Sequence, residues 1–179
     1  MKFIPQKLPG VFLIEPEPFV DNRGMLRRHF CQKEFSAQGI PFDLRQANIS
    51  ENTARHTLRG FHFQRPPLGE GKVLSCPKGA IHDVVLDLRP DSPTRFQWMS
   101  VELSDTNRKS LYFPPGCANA WLTLEANTWI LYYHSEFYAP GAEGGIRFDD
   151  PFFKFAWPAP PVVISDKDRQ YPLFDPART

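Results

Sequence analysis

The sequence carries almost no net charge. Lys and Arg total 21 against 20 Asp and Glu, which leaves +1 over 179 residues. Such a balance gives no electrostatic case for nucleic acid or an anionic membrane as a partner. Two or three placed Arg or Lys side chains can still bind an anionic small molecule without moving that total. Long apolar runs are missing too. Nothing approaches the ~20 apolar residues that a spanning helix needs, and the N-terminal "MKFIPQKLPG" has no signal-peptide core. Cysteine is scarce. Cys31, Cys76 and Cys117 are scattered, odd in number and in no Cys-x-x-Cys pair. That excludes a disulfide framework and suits a reducing cytoplasm. Also lacking are Gly-x-Gly-x-x-Gly, a Walker loop and Gly-x-Ser-x-Gly, so dinucleotide, P-loop and serine-hydrolase chemistry have no motif to rest on.

What is plentiful is Pro (19) and Phe (16). Many prolines with many aromatics indicate a β-rich chain with many corners. Strand candidates are "GVFLIEP", "RGMLRRHF", "FDLRQANIS", "LRGFHFQ", "GKVLSCPKG", "AIHDVVLDLRP", "FQWMSVELS", "LYFPPG", "AWLTLEA" and "TWILYYHSEFYAP". In "AIHDVVLDLRP", alternation puts Val84, Leu86 and Leu88 on one face. "CQKEFSAQG" is the good helix candidate, with Gly39 as its C-terminal cap. The tail from "DPFFKFAWPAPP" onward reads as irregular. Eight to ten short strands with a short helix imply a sandwich or jelly roll, with residues 1–179 as one domain.

"LRGFHFQ" poses the functional question, because an imidazole sits inside a strand built for burial. Strict alternation puts His62 on a face with Leu58, Gly60 and Gln64, and turns Phe61 and Phe63 the other way. Other strands carry embedded polar residues: Lys72, Asp83, Asn119 and Tyr132. Such residues either face water or converge on a polar lumen, where each finds a use that offsets its burial. Metal-binding jelly rolls of the cupin type use a His-x-His pair and a later His. Here Gln64 and Asn119 occupy two of those positions, and amides are poor transition-metal ligands. A metal-free site with no cofactor is expected, working by proton transfer.

These residues lie in longer segments: "DNRG", "QANIS", "LRGFHFQ", "GKVLSC", "GAIHDVVLDLRPDSPT", "VELSDTNR", "YFPPG", "FYAPGAEGGIRFDDP" and "SDKD". Taken together, nearly end to end, the sequence resembles the dTDP-4-dehydrorhamnose 3,5-epimerase family of cupin-fold nucleotide-sugar epimerases. The resemblance implies a double-stranded β-helix with one or two short helices, and a homodimer whose N-terminal strands cross to the partner. It implies His62 as the catalytic base, Asp168 as its carboxylate partner, Tyr132 as the acid on the opposite face, and Lys72 as a ligand of the sugar oxygens. Arg23 and Arg59 match arginines that contact the diphosphate. Gln46, Asn48, Asp83 and Glu143 match further substrate contacts. Strict alternation separates Arg59 from His62, so both reach one site only if the strand bulges, and Gly60 is where a bulge is tolerated.

The sequence departs from the family pattern in two places. "PPGCANAW" puts Asn119 where a His is usual, and Arg28 stands where well-known members carry a Glu near the nucleotide base. Both bear on the base and on which carbons are inverted. The leading expectation is epimerisation at C3, C5 or both of a nucleotide-linked 4-keto-6-deoxyhexose, for surface polysaccharide or a glycosylated metabolite. The alternatives are a single-centre epimerase on a CDP-, GDP- or modified dTDP-sugar, a ketoisomerase, and a non-catalytic sugar-nucleotide-binding cupin.

Overall fold

The computed structural model describes residues 1–176. Its strands in chain order are β1 (Lys2–Pro5), β2 (Phe12–Glu15), β3 (Phe19–Asp21), β4 (Gly24–Leu26), β5 (Gln46–Asn52), β6 (Leu58–Gln64) and β7 (Lys72–Lys78). They continue with β8 (Ala80–Asp87), β9 (Trp98–Ser104), β10 (Ser110–Phe113), β11 (Cys117–Thr123), β12 (Thr128–His134) and β13 (Glu143–Gly145). The helices are α1 (Gln32–Ala37) and α2 (Asp166–Gln170). Two antiparallel sheets face each other. One runs β1-β2-β10-β7-β12-β5 and the other β13-β6-β11-β8-β9, while β3 and β4 form a separate hairpin. No described helix is long and apolar enough to cross a membrane, and all three cysteines are unpaired thiols.

The core has two main parts. Between the sheets lie Leu74, Ile81, Val85, Leu111, Phe113, Trp121 and Ile130. On the outer face of the five-stranded sheet, Phe61, Val84, Leu86 and Ala120 pack under the C-terminal segment through Ile146 and Phe153. Val84, Leu86 and Leu88 do share that outer face, as period-two patterning requires. α1 ends as its sequence indicates. Gly39 takes φ +71°, and the amides of Gly39 and Ile40 close on the carbonyls of Ser36 and Phe35, the paired bonds of a Schellman cap.

The strand count exceeds the sequence expectation because β1, β3 and β13 are three or four residues long, too short to show a period. "RGMLRRHF" forms a strand only over Gly24–Leu26. The irregular tail contains α2, whose cap is local: the Asp168 amide donates to the Ser165 hydroxyl at 3.1 Å.

β6 is where the fold makes its site. Against β11, Asn119 pairs with His62 but Trp121 pairs with Arg59, so β6 holds one extra residue between these pairs. That is a β-bulge at Gly60. Its φ is +108°, and a Cβ there would stand 2.5 Å from the Asn119 carbonyl oxygen. Because Asn119 and Trp121 share a face, the bulge brings His62 and Arg59 to one side. It also corrects the alternation argument for Leu58, which turns outward onto Leu122 and Ile164.

Candidate active site

The lumen between the sheets opens into a cavity of about 200 Å³. Its walls include His62 and Asn119 from the five-stranded sheet, and Lys72, Tyr132, Asn48 and Gln46 from the six-stranded one. Glu143 on β13 closes one side. Seven of the twelve side chains singled out in the sequence therefore meet around one space.

His62 Nε2 lies 2.7 Å from Asp168 Oδ1, and the Gly60 amide donates to Asp168 Oδ2 at 3.1 Å. Burial pushes the Asp168 carboxyl up. The His62 ring, the Gly60 amide and the Ser165 hydroxyl outweigh that and hold it below the usual aspartate value. α2 carries this carboxylate to the outer side of the imidazole, leaving the other side of the ring to the lumen. A second pocket of about 300 Å³ lies on the α2 side and is lined by Arg59, His62, Lys167 and Asp168 among others. Arg59 is fixed there by donating from Nε to Asn52 at 2.9 Å. The Lys167 ammonium pairs with Glu143.

On the facing sheet, Tyr132 packs its ring 5.7 Å from Trp121 and 5.0 Å from His134. Burial raises its phenol above the ordinary value, opposed by the Arg59 guanidinium and the Asn48 amide. The phenol is thus a proton holder at neutral pH, as an acid requires.

Asp83 is not at the cavity surface. It is 0% exposed and stands behind Asn119, whose Nδ2 donates to Asp83 Oδ1 at 2.9 Å. Its Oδ2 has no partner, and burial pushes its carboxyl up to about 7 against the Asn119 bond and the Lys72 charge. Arg23 and Arg28 are also elsewhere in this chain. Arg23 pairs with Asp21 inside the β3–β4 hairpin, and Arg28 pairs with Glu34 at 2.6 Å. Both are well exposed, and neither lines the lumen.

The sequence reading passed over Glu70 and His134. Glu70 Oε1 meets the Lys72 ammonium at 2.9 Å and Glu70 Oε2 meets His134 Nδ1 at 2.5 Å. Glu70 sits in the Pro-rich loop, and His134 ends a strand whose tyrosines drew the attention. Among the described residues, no three His, Cys, Asp or Glu side chains converge to hold a metal ion.

Comparison with known proteins matches this chain and its fold to one group. A family model described as dTDP-4-dehydrorhamnose 3,5-epimerase covers residues 5–176. The chain belongs to that family. It is 39% identical over 167 residues to the dTDP-4-dehydrorhamnose 3,5-epimerase of Mycolicibacterium smegmatis, covering 92% of this chain and 82% of that one. The Bacillus anthracis dTDP-4-dehydrorhamnose 3,5-epimerase, solved with TDP and PPi bound, superimposes with TM-score 0.93 at 35% identity, over 97% of this chain and 99% of that one. A 3′-monoepimerase from Streptomyces bikiniensis, solved with dTDP-quinovose, superimposes with TM-score 0.85 at 32% identity, over 94% and 86%. The fold of this chain is the cupin jelly roll. The protein is an isomerase that epimerises a nucleotide-linked 4-keto-6-deoxy sugar.

Proposed function

We propose that the protein inverts both C3 and C5 of a dTDP-linked 4-keto-6-deoxyhexose, with His62 as base and Tyr132 as acid. The observation that carries this reading is that the two come from opposite sheets across one lumen. A sugar ring lying between the sheets meets the base on one face and the acid on the other. The C4 ketone acidifies the hydrogens on C3 and C5. The imidazole takes one of them, and Asp168 orients the ring and stabilises the imidazolium that forms. The Lys72 ammonium meets the oxygen on which enolate charge develops. Tyr132 returns a proton to the opposite face, which inverts the centre. Gln46, Asn48, Asn119 and Glu143 offer hydrogen bonds to the substrate's polar groups, while Asp83 acts through Asn119.

Arg59 and Lys167 supply cations at the neighbouring pocket, where a diphosphate suits a guanidinium fork. The β3–β4 hairpin leaves Phe19 76%, Val20 73% and Leu26 72% exposed. Apolar side chains so displayed fit a homodimer in which a second copy covers the hairpin and brings Arg23 and Arg28 to a substrate. Unpaired thiols fit a cytoplasmic enzyme.

Asn119 favours a second reading, a single-centre epimerase, because it leaves the lumen wall beside His62 without a second ionisable ring. The test is incubation in D2O with dTDP-4-keto-6-deoxyglucose and with its CDP and GDP analogues, followed by NMR. Deuterium at C3 and C5 supports double inversion, and at one carbon the single-centre reading. Binding without exchange for every nucleotide overturns the catalytic reading.

A further inference from the structure

The cavity wall beside Tyr132 contains a buried polar chain, two of whose three members the base-and-acid scheme does not use. Glu70, Lys72 and His134 are 7%, 7% and 6% exposed, and they hold one another directly. Lys72 and His134 are cross-strand partners on β7 and β12, and Glu70, two residues before Lys72, bridges them at 2.9 and 2.5 Å. Charges removed from water persist only when paired and hydrogen-bonded. Here the pairing goes beyond one ion pair. Burial pushes the Glu70 carboxyl up, but the His134 hydrogen bond and the Lys72 charge prevail and keep it below its ordinary value. Glu70 is therefore the anion of the trio.

The direction of the hydrogen bonds follows. A carboxylate only accepts, so His134 donates from Nδ1 to Glu70, and in the neutral ring Nε2 is then the acceptor. The Asn48 side-chain nitrogen stands 3.2 Å from that Nε2 and is the donor it needs. Asn48 in turn is the cross-strand partner of Tyr132, and its amide acts on the phenol. Hydrogen bonds thus run from the Lys72 ammonium through Glu70 and His134 to Asn48, and the His134 ring itself packs 5.0 Å from the Tyr132 ring. Together they link the group that meets the enolate oxygen to the group that returns the proton.

We propose that Glu70 and His134 are positioning residues of the epimerase: Glu70 pins the Lys72 ammonium at the ketone, and His134 transmits that anchor through Asn48 to Tyr132. The role rests on the epimerase reading above. A ketone oxygen gains its full hydrogen-bonding demand only as the proton leaves carbon. A Lys72 that wanders therefore costs transition-state stabilisation and leaves ground-state binding nearly untouched. Sequence reading alone could not find this, because Glu70 sits in a loop and its partners come from other strands.

The test is a set of kinetic constants and dTDP affinities for Glu70→Gln, His134→Gln and His134→Asn. Glu70→Gln removes the counter-charge and is expected to lower kcat at least tenfold, with KM and dTDP affinity changed less than threefold. An Asn side chain places a donor near the imidazole Nδ1 position, and a Gln side chain places an acceptor near Nε2. Each His134 variant thus keeps one of the two His134 bonds and loses the other, so both are expected to lower kcat at least threefold with KM little changed, and Glu70→Gln, which frees Lys72, to lower it most. The His134 variants change no carboxylate and keep the test open should Glu70→Gln fail to fold. Equal kcat in wild type and in folded Glu70→Gln overturns the role, as does a common loss in KM and kcat for every variant. A wild-type protein that exchanges neither C3–H nor C5–H overturns the epimerase reading and this role together. Exchange that survives both Glu70→Gln and His134→Gln overturns the role alone.

Discussion

Asn119 donates its side-chain amide to Asp83 of β8 over 2.9 Å, and on its other flank it lies directly across from His62 of β6. The Asn thus spans two regimes, a wet cavity in front and a carboxyl sealed from water behind. An Asp held near 7 against an ordinary 3.8 keeps its proton in the folded state over a range where the unfolded chain has lost it. The folded protein then binds more protons, so this group's contribution to stability falls as pH rises from about 4 to 7, by up to roughly 1.4 kcal/mol per pH unit. Asp83→Asn removes that slope while keeping an acceptor for Asn119. Urea midpoints at pH 5 and pH 8 are expected to show the variant gaining on wild type at the higher pH. Parallel behaviour of the two proteins would contradict a protonated Asp83.

In the proposed reaction His62 and Asp168 carry the proton-abstraction half. His62→Ala is expected to lower kcat by about 10²–10⁴-fold, with dTDP binding close to wild type, since the ring lies at the cavity wall. Asp168→Asn tests the partner through stability as well as rate. Its depressed carboxyl stabilises the fold above its unfolded value, and that contribution disappears as pH falls through the folded one. The stability difference between Asp168→Asn and wild type should therefore narrow as pH is lowered from 7 toward 3, as followed by thermal melts.

Tyr132→Phe separates abstraction from return. The ring contacts to Trp121 and His134 survive the change, and only the phenol proton is lost. In D2O, the variant is expected to exchange carbon-bound hydrogen while inverting stereochemistry at least a hundredfold more slowly. NMR of substrate and product reads both in one sample. Loss of exchange in step with inversion would assign Tyr132 to the abstraction step instead.

Gly60→Ala probes the bulge. The added Cβ would lie 2.5 Å from the Asn119 carbonyl oxygen and 2.8 Å from Ala120 Cα, at a φ of +108°. Backbone cannot yield as a flexible side chain can, so the substitution is expected to cost about 2–5 kcal/mol from overpacking and strain together. Chemical denaturation measures it. A loss below 1 kcal/mol would mean that the strand can shed its bulge.

Much of this was legible in the residues. Alternation around Val84, Leu86 and Leu88 named the outer face of one sheet, Gly39 marked the end of α1, and Gly60 marked the bulge. The convergence of His62, Lys72, Asn119 and Tyr132 was foreshadowed by one polar residue per strand. Other features were hidden for physical reasons. Arg23 matches the family pattern and Arg28 departs from it, but both side chains find local carboxylates, Asp21 and Glu34. Asp83 alternates correctly toward the interior, yet depth along that direction has no sequence signature, so its place behind Asn119 was invisible. Glu70 and His134 have no shared spacing, because register between strands, not order along the chain, joins them. α2 is too short for a period to show.

Asp168 follows His62 by 106 residues and comes after every strand in the chain. Both sheets can close in a growing polypeptide before that carboxylate has been synthesised, since folding proceeds from the N-terminus as the chain emerges. The imidazole spends that interval without the group that orients it. Docking of α2 is therefore the step that arms the histidine.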